Sequence, residues 1–595
     1  MSDPQSQWAA LLLESLVEAG VRDAIISPGS RSTPLVWAAS HTRGLRCHSI
    51  IDERSAAFFA LGQARLSGLP SVLICTSGTA LANYFPAVIE ARESGLPLLV
   101  VSADRPFELQ HCGAHQTIDQ TRLFGAYAHF HELGAPVAER EALLGLRRTA
   151  RQAVSLSLEA PRGAVHLNFR ARKPLEPGPG PAPPPLPGAA PRAALAPRRR
   201  APVNRAELEP LLEALEGSLC PLLICGAAAV HDSPSAALVR RYAELSGSVV
   251  CPESVSQLRF TLGELGGSGL VCDTYDWLLA SAALGAALAP DFALQLGSTP
   301  VSSSLERLIG APERSLRYAI CAASGWPDPL HKAAEVLHAH PSDLLEALCE
   351  ALERRAVRPT RPRAALWRAA GGRARALIER HVREEFGEAA AVAELCARLP
   401  AGSVLALGNS LPPRLADRYA AASARGIRVC SQRGASGIEG AIAGAFGAAS
   451  QAAAPVTLLL GDISFLHDIG SLWAAAPART HAGSLAAPMV IVVLNNAGGR
   501  IFEQLPIAAH PGVPLGLWTT PHAMRLRAAA ELYGLHHVEV AGAGQLGPAL
   551  DAAYAAAEVC LIEVLVAPDG AASSQRRVSA QLEPLFAELA AEVAP

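Results

Sequence analysis

The sequence predicts an α/β protein of three domains, each built on a mostly parallel sheet flanked by helices. At 595 residues the chain is too long for a single hydrophobic core. Short apolar runs of strand length alternate with helical patterns, which is typical of parallel sheets. Segments rich in proline and arginine predict linkers at 173–203 and 356–375, and these separate domains at 1–172, 204–355 and 376–595.

The composition narrows the class of protein. Hydrophobic residues make up 50% of the chain and charged residues 18%, which indicates a well-packed globular protein. A net charge of −3 argues against a nucleic-acid partner. The longest apolar runs are strand-sized and no signal peptide is recognisable, so we expect no membrane span. Twelve cysteines without a C-x-x-C pair favour reduced thiols in a cytoplasm, without a zinc site or disulfide framework.

In the first domain every predicted strand leads into a polar or glycine-rich segment. The strands in "VRDAIIS", "LRCHSIID", "SVLICTSGT" and "PLLVVSADRP" are followed by "SPGSRS", "DERS", "TSGTA" and "SADRP". Helices are expected in "TPLVWAAS", from Glu53 onward, and in "ALANYFPAVIEARES". Ligands of parallel sheets bind outside the carboxyl ends of the strands, so these segments predict a site at that edge.

The last domain repeats this plan with "GSVLALGNS", "IRVCSQRGASGIEG", "VTLLLGDIS", "MVIVVLNNAGG" and "CLIEVLVA". The central domain has weaker strands in "PLLICGAA", "DFALQLGS" and "LRYAICAA", and no comparable cluster of polar residues. The first and last domains are therefore expected to be two similar α/β domains, each with a site at the same edge of its sheet.

Asp462 and Asn496 each follow an apolar strand and lie 34 residues apart, the length of one crossover unit. Neighbouring strands would bring both side-chain oxygens to one edge. A carboxylate, an amide oxygen and a backbone carbonyl suit Mg²⁺, with phosphate oxygens completing the shell. A helix starting near Ser464 would direct its first amides at the same phosphates. Either residue alone is better explained as an N-cap or a turn residue, but together they favour a metal–diphosphate site.

Glu53 lies where a strand becomes a helix, between two apolar runs. The residue alone is best explained as a first-turn glutamate favoured by the helix dipole, or as a partner of Arg54. The functional alternative is a buried carboxyl group with a raised pKa that exchanges a proton with a ring nitrogen.

These segments resemble thiamine-diphosphate enzymes of the decarboxylase and acetolactate synthase type, and the resemblance covers essentially the whole chain. In that group a pyrimidine-binding domain supplies a glutamate after its second strand, and a diphosphate-binding domain supplies "GD" and then "NN". Within the group the chain is most similar to the 2-succinyl-5-enolpyruvyl-6-hydroxy-3-cyclohexene-1-carboxylate synthases of menaquinone biosynthesis. Eight motifs carry this similarity: "SPGSRSTPL", "DERSAAFFALG", "TSGTALANYFPAVIEA", "SADRP", "QTIDQ", "GNSLPPR", "QRGASGIEG" and "NNAGGRIFEQLP".

The resemblance implies that the protein decarboxylates 2-oxoglutarate on thiamine diphosphate. The four-carbon unit that remains is then added to isochorismate in a Stetter-like step. It implies that Glu53 contacts N1′ of the cofactor pyrimidine and that Ile438 supports the bent cofactor. The remaining cofactor residues are implied to be Ser77, Gly78, Ile463 and Ser464, with Mg²⁺ or Mn²⁺ held by Asp462, Asn496 and the carbonyl of Gly498.

Both substrates are dianions, and a closed site for them needs planar, permanently charged donors, which are arginines. The loop "SPGSRSTPL" looks at first like a phosphate loop, but the diphosphate is expected in the last domain, so this loop is assigned to a substrate carboxylate. By motif match the substrate-binding residues are Arg31, Arg105, Arg414 and Arg433, the neutral donors Ser30, His115, Gln116 and Ser410, and the apolar wall of Ile501, Phe502 and Leu505.

The chain departs from the family pattern at a few positions. His115 stands where other members have Asn, so its charge would depend on pH. Ser303 and Ser304 replace basic residues in the central domain, and Arg307, one turn later, is a candidate substitute. The segment "ARTHAGSLAAP" lengthens the Asp–Asn spacing and is expected to be a surface loop.

The resemblance also implies a homodimer or homotetramer with active sites at the subunit interface. One alternative is another 2-oxo acid decarboxylase or acetolactate-type enzyme, which would lack the four arginines and could carry FAD in the central domain. A second alternative is a non-catalytic regulator on the same scaffold that binds a nucleotide or a metabolite. Such a regulator has no use for the proton-relay carboxyl group of Glu53.

Overall fold

A computed structural model describes most of the chain. The described residues are 3–177, 203–263, 270–284, 287–311, 316–323, 325–355, 361–475, 487–556 and 558–593. Most of the first predicted linker, the start of the second, and most of "ARTHAGSLAAP" lie outside these ranges.

The first domain contains a six-stranded sheet in which every strand pair is parallel, in the order β2-β1-β3-β4-β6-β5. Its four inner strands β1, β3, β4 and β6 are buried on both faces, as expected of a parallel sheet covered by helices, and the edge strands β2 and β5 are partly exposed. Its elements are α1 (Pro4–Glu18), β1 (Asp23–Ile26), α2 (Thr33–His41), β2 (Arg46–Ser49), α3 (Glu53–Ser67), β3 (Val72–Cys75), α4 (Thr79–Asn83), α5 (Phe85–Glu93), β4 (Leu98–Asp104), β5 (Ala128–Glu132), α6 (Arg140–Leu158) and β6 (Ala164–Arg170).

One predicted helix of this domain is divided in two. The segment "ALANYFPAVIEARES" forms α4 and α5, which meet at Tyr84 and Phe85. Pro86 explains the break, because proline has no amide to continue a helical ladder and is favoured in the first turn of a new helix.

The central domain contains a five-stranded parallel sheet in the order β11-β10-β9-β7-β8. Its elements are α7 (Arg205–Gly217), β7 (Pro221–Cys225), α8 (Ala236–Ser246), β8 (Val249–Pro252), α9 (Tyr275–Ala280), β9 (Phe292–Leu296), α10 (Ser303–Gly310), β10 (Arg317–Ala322), β11 (Ala333–His338) and α11 (Pro341–Arg355).

The last domain has a six-stranded parallel sheet in the order β13-β12-β14-β15-β17-β16. This order matches that of the first sheet, so the predicted α/β fold with two similar domains is confirmed. Its elements are α12 (Pro362–Glu384), α13 (Glu388–Arg398), β12 (Val404–Leu407), α14 (Leu411–Tyr419), β13 (Arg428–Ser431), α15 (Ala441–Ala449), β14 (Val456–Gly461), α16 (Asp462–His467), β15 (Met489–Asn495), α17 (Gly516–Thr519), α18 (Arg527–Tyr533), β16 (His536–Val540), α19 (Leu546–Ala555), β17 (Val559–Leu565) and α20 (Gly570–Val593).

The second predicted linker is largely helical. Residues 362–375, which the arginine-rich composition predicts to be linker, form the first half of α12. Leu366, Trp367 and Ala370 are buried on this helix, and their helical spacing gives it an apolar stripe that packs in the core. The domain boundaries themselves stay a prediction.

The chain divides into two compact units. The first comprises Met1–Arg199 with Gln432–Ala453 and His467–Ala487, and the second comprises the remaining segments. Helix α15 belongs to the first unit, where it packs against α3. A Cβ atom on Gly62 would lie 1.9 Å from the carbonyl oxygen of Gly444, so the two helix backbones touch and leave no room for a side chain.

Across the described ranges, none of the helices combines the length and the apolar character that crossing a membrane requires.

Candidate active site

Asp462 follows β14 directly, at the edge where β14 and its neighbour β15 end. Its side chain is only 2% exposed. Oδ1 accepts a hydrogen bond from the amide of Ile463 at 2.7 Å, and Oδ2 accepts one from the amide of Gly498 at 2.9 Å. Nε2 of His522 lies 3.1 Å from Oδ2. Burial raises the pKa of the Asp462 carboxyl above its usual value, and these hydrogen bonds oppose the rise.

Asn496 lies just beyond β15 and its side chain is 5% exposed. Its Nδ2 donates to Oε1 of Glu388 at 2.7 Å. Its Oδ1 is buried and has no hydrogen-bond partner in the part of the chain that the structure describes. Glu388 is itself buried, and burial raises its pKa to about 7. An unsatisfied buried oxygen is costly, and this one lies at the predicted metal site.

The loop after Asn496 requires glycine at position 498. Gly498 has a φ of +144°, and a Cβ there would lie 2.5 Å from the carbonyl oxygen of Thr519. The next amide, of Gly499, donates to that same carbonyl at 2.7 Å, and the Gly498 carbonyl accepts from the amide of Arg500 at 2.9 Å. The backbone of this loop is therefore held directly against the segment around Thr519.

Asn495 has a different role from its neighbour. Its Nδ2 donates to Oε1 of the fully buried Glu563 at 2.6 Å, and its Oδ1 accepts from the amide of Ala497 at 3.2 Å. Oε2 of Glu563 accepts from the amide of Leu526 and lies 3.1 Å from Nε2 of His537. The first asparagine of the pair thus shapes the loop and leaves the second to face the site.

The residues present fit a divalent cation with a diphosphate. Asp462 offers a carboxylate, Asn496 an unpaired amide oxygen and Gly498 a carbonyl, which are hard oxygen donors of the kind Mg²⁺ prefers. Among the described residues no three His, Cys, Asp or Glu side chains form a metal-binding group. Ser464 is buried in the first turn of α16, and Ile463 is half-buried beside it.

The second unit holds the predicted substrate residues Ser410, Arg414, Ile501, Phe502 and Leu505, whereas Arg433 belongs to the first unit. Arg414 is half-buried on α14, and its Nη1 donates to the carbonyl of Ser410 at 2.7 Å. Ser410 has a positive φ of 77°. Of the predicted apolar wall, Ile501 packs on the domain core, Phe502 is half-buried and Leu505 is 44% exposed.

In the first unit, Glu53 is the first residue of α3. The side chain of Asp52 caps this helix by accepting from the amide of Arg54 at 2.9 Å, so Glu53 is not needed as the cap. No other described residue donates a hydrogen bond to the half-buried Glu53 carboxyl group. Its burial raises its pKa, and its charge in turn helps to raise the pKa values of Cys75 and Tyr84. Glu53 therefore lies beside the end of β3.

Arg31 is almost completely buried, with 6% exposure. Its Nη1 donates to the carbonyl of Ala171 at 2.8 Å, and its amide donates to Oγ1 of Thr76 at 3.3 Å. A Cβ on Gly29 would lie 2.3 Å from the Thr76 side chain, which explains the glycine of this loop. Ser30 is exposed. The "SPGSRS" loop thus packs tightly on the "TSGTA" loop.

Arg105 donates hydrogen bonds to two of the predicted site residues, Ser77 and His115. Its Nη1 donates to Oγ of Ser77 and its Nη2 to the carbonyl of His115, both at 2.9 Å. Nε2 of Gln116 donates to the carbonyl of Ser77 at 3.0 Å. Burial and the nearby charge of Arg105 both lower the pKa of Arg31, so these two arginines lie close together. The imidazole of His115 is exposed, and its carbonyl is the group that contacts Arg105.

A buried polar chain fixes Gly78. Its amide donates to Oε1 of Gln120 at 3.1 Å, and Nε2 of Gln120 donates to Oδ1 of Asn168 at 3.1 Å. Nδ2 of Asn168 donates to Oδ2 of Asp104 at 3.0 Å. The second glutamine of "QTIDQ" therefore holds the backbone of the "TSGTA" loop in place.

The segment 432–440 carries the predicted site residues Arg433 and Ile438, which are both half-buried. Oε2 of Glu90 accepts from the amide of Ala435 at 2.7 Å, and Glu90 is itself buried. This carboxyl group anchors the segment that bears both residues.

In the central domain, the carboxylate of Glu253 accepts hydrogen bonds from the backbone amides that precede α10. Its Oε1 accepts from the amides of Val301 and Ser302, at 2.6 and 2.9 Å. An internal carboxylate thus takes the place where a nucleotide phosphate would bind in many α/β domains.

Ser303 is exposed, whereas Ser304 is buried. The guanidinium of Arg307 contacts the carbonyl of Ser303 at 3.3 Å and Oγ of Ser304 at 3.4 Å, on its own helix.

The sequence interpretation missed the residues that hold the predicted site residues of each unit in place: Glu90 and Gln120 in the first unit, and Glu388, His522 and the pair Asn495 and Glu563 in the second. A charged residue inside an apolar pattern is the signal that could have marked some of them. Glu90 in "PAVIEA" and Glu563 in "CLIEVL" both sit where an unpaired charge would be costly.

Comparison with known proteins identifies the family. Residues 7–123 match the family model described as thiamine pyrophosphate enzyme, N-terminal TPP binding domain, and residues 414–564 match the corresponding C-terminal TPP binding domain. A relative from Sorangium cellulosum, named 2-succinyl-5-enolpyruvyl-6-hydroxy-3-cyclohexene-1-carboxylate synthase, is 43% identical over 97% of this chain and 95% of its own length. Relatives of the same name from Geobacillus kaustophilus and Myxococcus xanthus are 40% and 38% identical, over 90% and 89% of this chain and 91% and 90% of their own lengths. The chain belongs to the 2-succinyl-5-enolpyruvyl-6-hydroxy-3-cyclohexene-1-carboxylate synthase family.

Membership in this synthase family confirms the relationship inferred from the eight motifs. The two matched TPP domains contain Glu53 and Asp462 respectively. The acetolactate-type alternative is not favoured, because the relatives carry the synthase name.

Proposed function

We propose that this member of the synthase family catalyses the thiamine-diphosphate-dependent decarboxylation of 2-oxoglutarate and the addition of the remaining four-carbon unit to isochorismate. The products are 2-succinyl-5-enolpyruvyl-6-hydroxy-3-cyclohexene-1-carboxylate and CO₂, in menaquinone biosynthesis. The observation that carries this proposal is the 43% identity to a synthase of that name over 97% of the chain.

Asp462, Asn496 and the Gly498 carbonyl would hold Mg²⁺ or Mn²⁺, and Ser464 and Ile463 would line the diphosphate. The unpaired, buried Oδ1 of Asn496 supports this assignment, because a cation would satisfy it. When bound, thiamine diphosphate supplies the electron sink that lets a 2-oxo acid lose CO₂ and lets the remaining fragment act as a nucleophile. The protein binds, orients and moves protons around that chemistry.

The carboxyl group of Glu53 is proposed to exchange a proton with N1′ of the cofactor pyrimidine. A group that both gives and takes a proton works best when its pKa lies near the working pH. Burial moves the pKa of Glu53 in that direction, and no other described residue competes for its carboxyl group. Ser77 and Gly78 would line the pyrimidine, and Ile438 would support the cofactor.

Arg31, Arg105, Arg414 and Arg433 are proposed to neutralise the dianionic substrates. Arg105 is already oriented by its hydrogen bonds to Ser77 and His115, so little freedom is lost when a carboxylate binds. The neutral donors would be Ser30, Gln116, His115 and Ser410, and the apolar wall would be Ile501, Phe502 and Leu505.

We also propose a cytoplasmic homodimer or homotetramer with its active sites at the subunit interface. Light scattering coupled to size-exclusion chromatography measures the assembly, and a monomeric active protein would contradict it.

The test of the function is an assay with 2-oxoglutarate and isochorismate, with and without thiamine diphosphate and Mg²⁺. We expect loss of isochorismate together with release of CO₂, and only when cofactor and metal are both present. Turnover of pyruvate without any effect on isochorismate would reject the proposal in favour of an acetolactate-type enzyme.

A further inference from the structure

Glu388, which no motif marks, is the first residue of α13 and its side chain is 1% exposed. Burying a carboxylate destabilises a protein unless the group is hydrogen-bonded or paired with a charge. Here Oε1 accepts a hydrogen bond of 2.7 Å from Nδ2 of Asn496. The carboxyl group of one helix therefore reaches the side chain that we assign to the metal site.

A side-chain amide has two unlike ends, and only one of them binds a cation. The carbonyl oxygen of Asn496 is a ligand for Mg²⁺, whereas its NH₂ group is a donor and is not. An ionised carboxylate only accepts hydrogen bonds, so Glu388 selects the NH₂ end. The opposite end, Oδ1, is then the buried oxygen without a partner among the described residues.

We infer that Glu388 is a positioning residue that fixes the Asn496 amide with its oxygen directed to the metal. This inference rests on the proposed function, since it presupposes a cation at Asp462 and Asn496. Partners that orient metal ligands in this way typically contribute about 10- to 100-fold to metal affinity.

The test is a titration of Mn²⁺ into the full-length protein with saturating thiamine diphosphate, at mildly alkaline pH, with free Mn²⁺ followed by electron paramagnetic resonance. Glu388→Met removes the acceptor at similar volume and is expected to raise the Mn²⁺ Kd about 10- to 100-fold. Glu388→Gln keeps an oxygen that can accept from Asn496 and is expected to retain most of the affinity. Glu394→Gln, on the same helix but paired with Arg398 at its exposed side, is the matched control and should bind as wild type.

Two further measurements separate positioning from other roles. The Tm of the metal-free protein should fall in Glu388→Met, because the buried NH₂ group of Asn496 loses its acceptor, so the Mn²⁺ affinities are compared at a temperature where every variant is folded. In an Asn496→Asp background, Glu388→Gln should tighten Mn²⁺ binding, since the glutamine amide can donate to one aspartate oxygen and leave the other for the metal.

Two results would overturn the inference: wild-type Mn²⁺ affinity in Glu388→Met, or equal losses in the Met and Gln variants, which would indicate a role of charge alone. If the wild-type protein itself shows no Mn²⁺ binding coupled to thiamine diphosphate, the proposed function fails as well. The two failures are therefore distinguishable.

Discussion

Replacing Gly498 by alanine tests whether the loop after Asn496 is built for metal binding. The added Cβ would lie 2.5 Å from the carbonyl oxygen of Thr519, and the φ of +144° is one that side chains rarely adopt. A residue forced into such a conformation costs about 1–3 kcal/mol. The loop can relieve this strain only by moving away from Thr519, which also moves the Gly498 carbonyl and Asn496.

The expected result is a loss of about 1–3 kcal/mol in the free energy of metal binding, or about 5- to 150-fold in Kd. Isothermal titration of Mg²⁺ into protein with saturating thiamine diphosphate measures it. Gly516→Ala is the matched control, because Gly516 lies in the neighbouring α17, with a φ outside the strained range and open space around its Cα. Equal Mg²⁺ affinities in the Gly498→Ala and Gly516→Ala variants would refute the reasoning.

Three further predictions concern the proton relay, the substrate and pH. Glu53→Gln should still bind thiamine diphosphate but slow proton exchange at its C2 by about 10²- to 10⁴-fold, as followed by NMR; retained exchange would remove Glu53 from the relay. Arg414→Ala should raise the KM for 2-oxoglutarate more than that for pyruvate, and equal effects would place Arg414 outside the substrate pocket. His166 is buried, which lowers its pKa to about 3 from an ordinary 6.5, so its neutral form stabilises the fold above pH 6.5 and this stabilisation is lost as the pH falls toward 3. Relative to His166→Phe, wild type should lose about 1.4 kcal/mol of unfolding free energy per pH unit below 6.5, and parallel pH profiles in urea denaturation would contradict this.

The sheet edges could be predicted from the sequence because strand ends and polar segments are both local patterns. The apolar runs before Asp462 and Asn496 predict one sheet edge for both residues, and the structure brings them to the ends of β14 and β15. The sequence does not show that the two asparagines of "NN" have different roles. This difference depends on Glu563 of β17, which accepts a hydrogen bond from Asn495.

Long-range polar contacts set the limit of the sequence interpretation. Glu388 lies 108 residues before Asn496 along the chain. The sequence around either residue contains no pattern that predicts the hydrogen bond between them. The first half of α12 reads as a linker by composition, because its arginines obscure the buried apolar stripe that includes Trp367. A break at Pro86, by contrast, follows from proline chemistry alone and was open to prediction.

The most direct measurement is a titration of thiamine diphosphate into the wild-type and Asp462→Ala proteins, with and without Mg²⁺, followed by calorimetry. If the oxygens of Asp462, Asn496 and Gly498 hold the metal that binds the diphosphate, wild type should bind tightly only with Mg²⁺. Asp462→Ala should then weaken that binding by at least about 100-fold. Thiamine diphosphate binding that is equally tight without Mg²⁺, or unchanged in Asp462→Ala, would contradict the account.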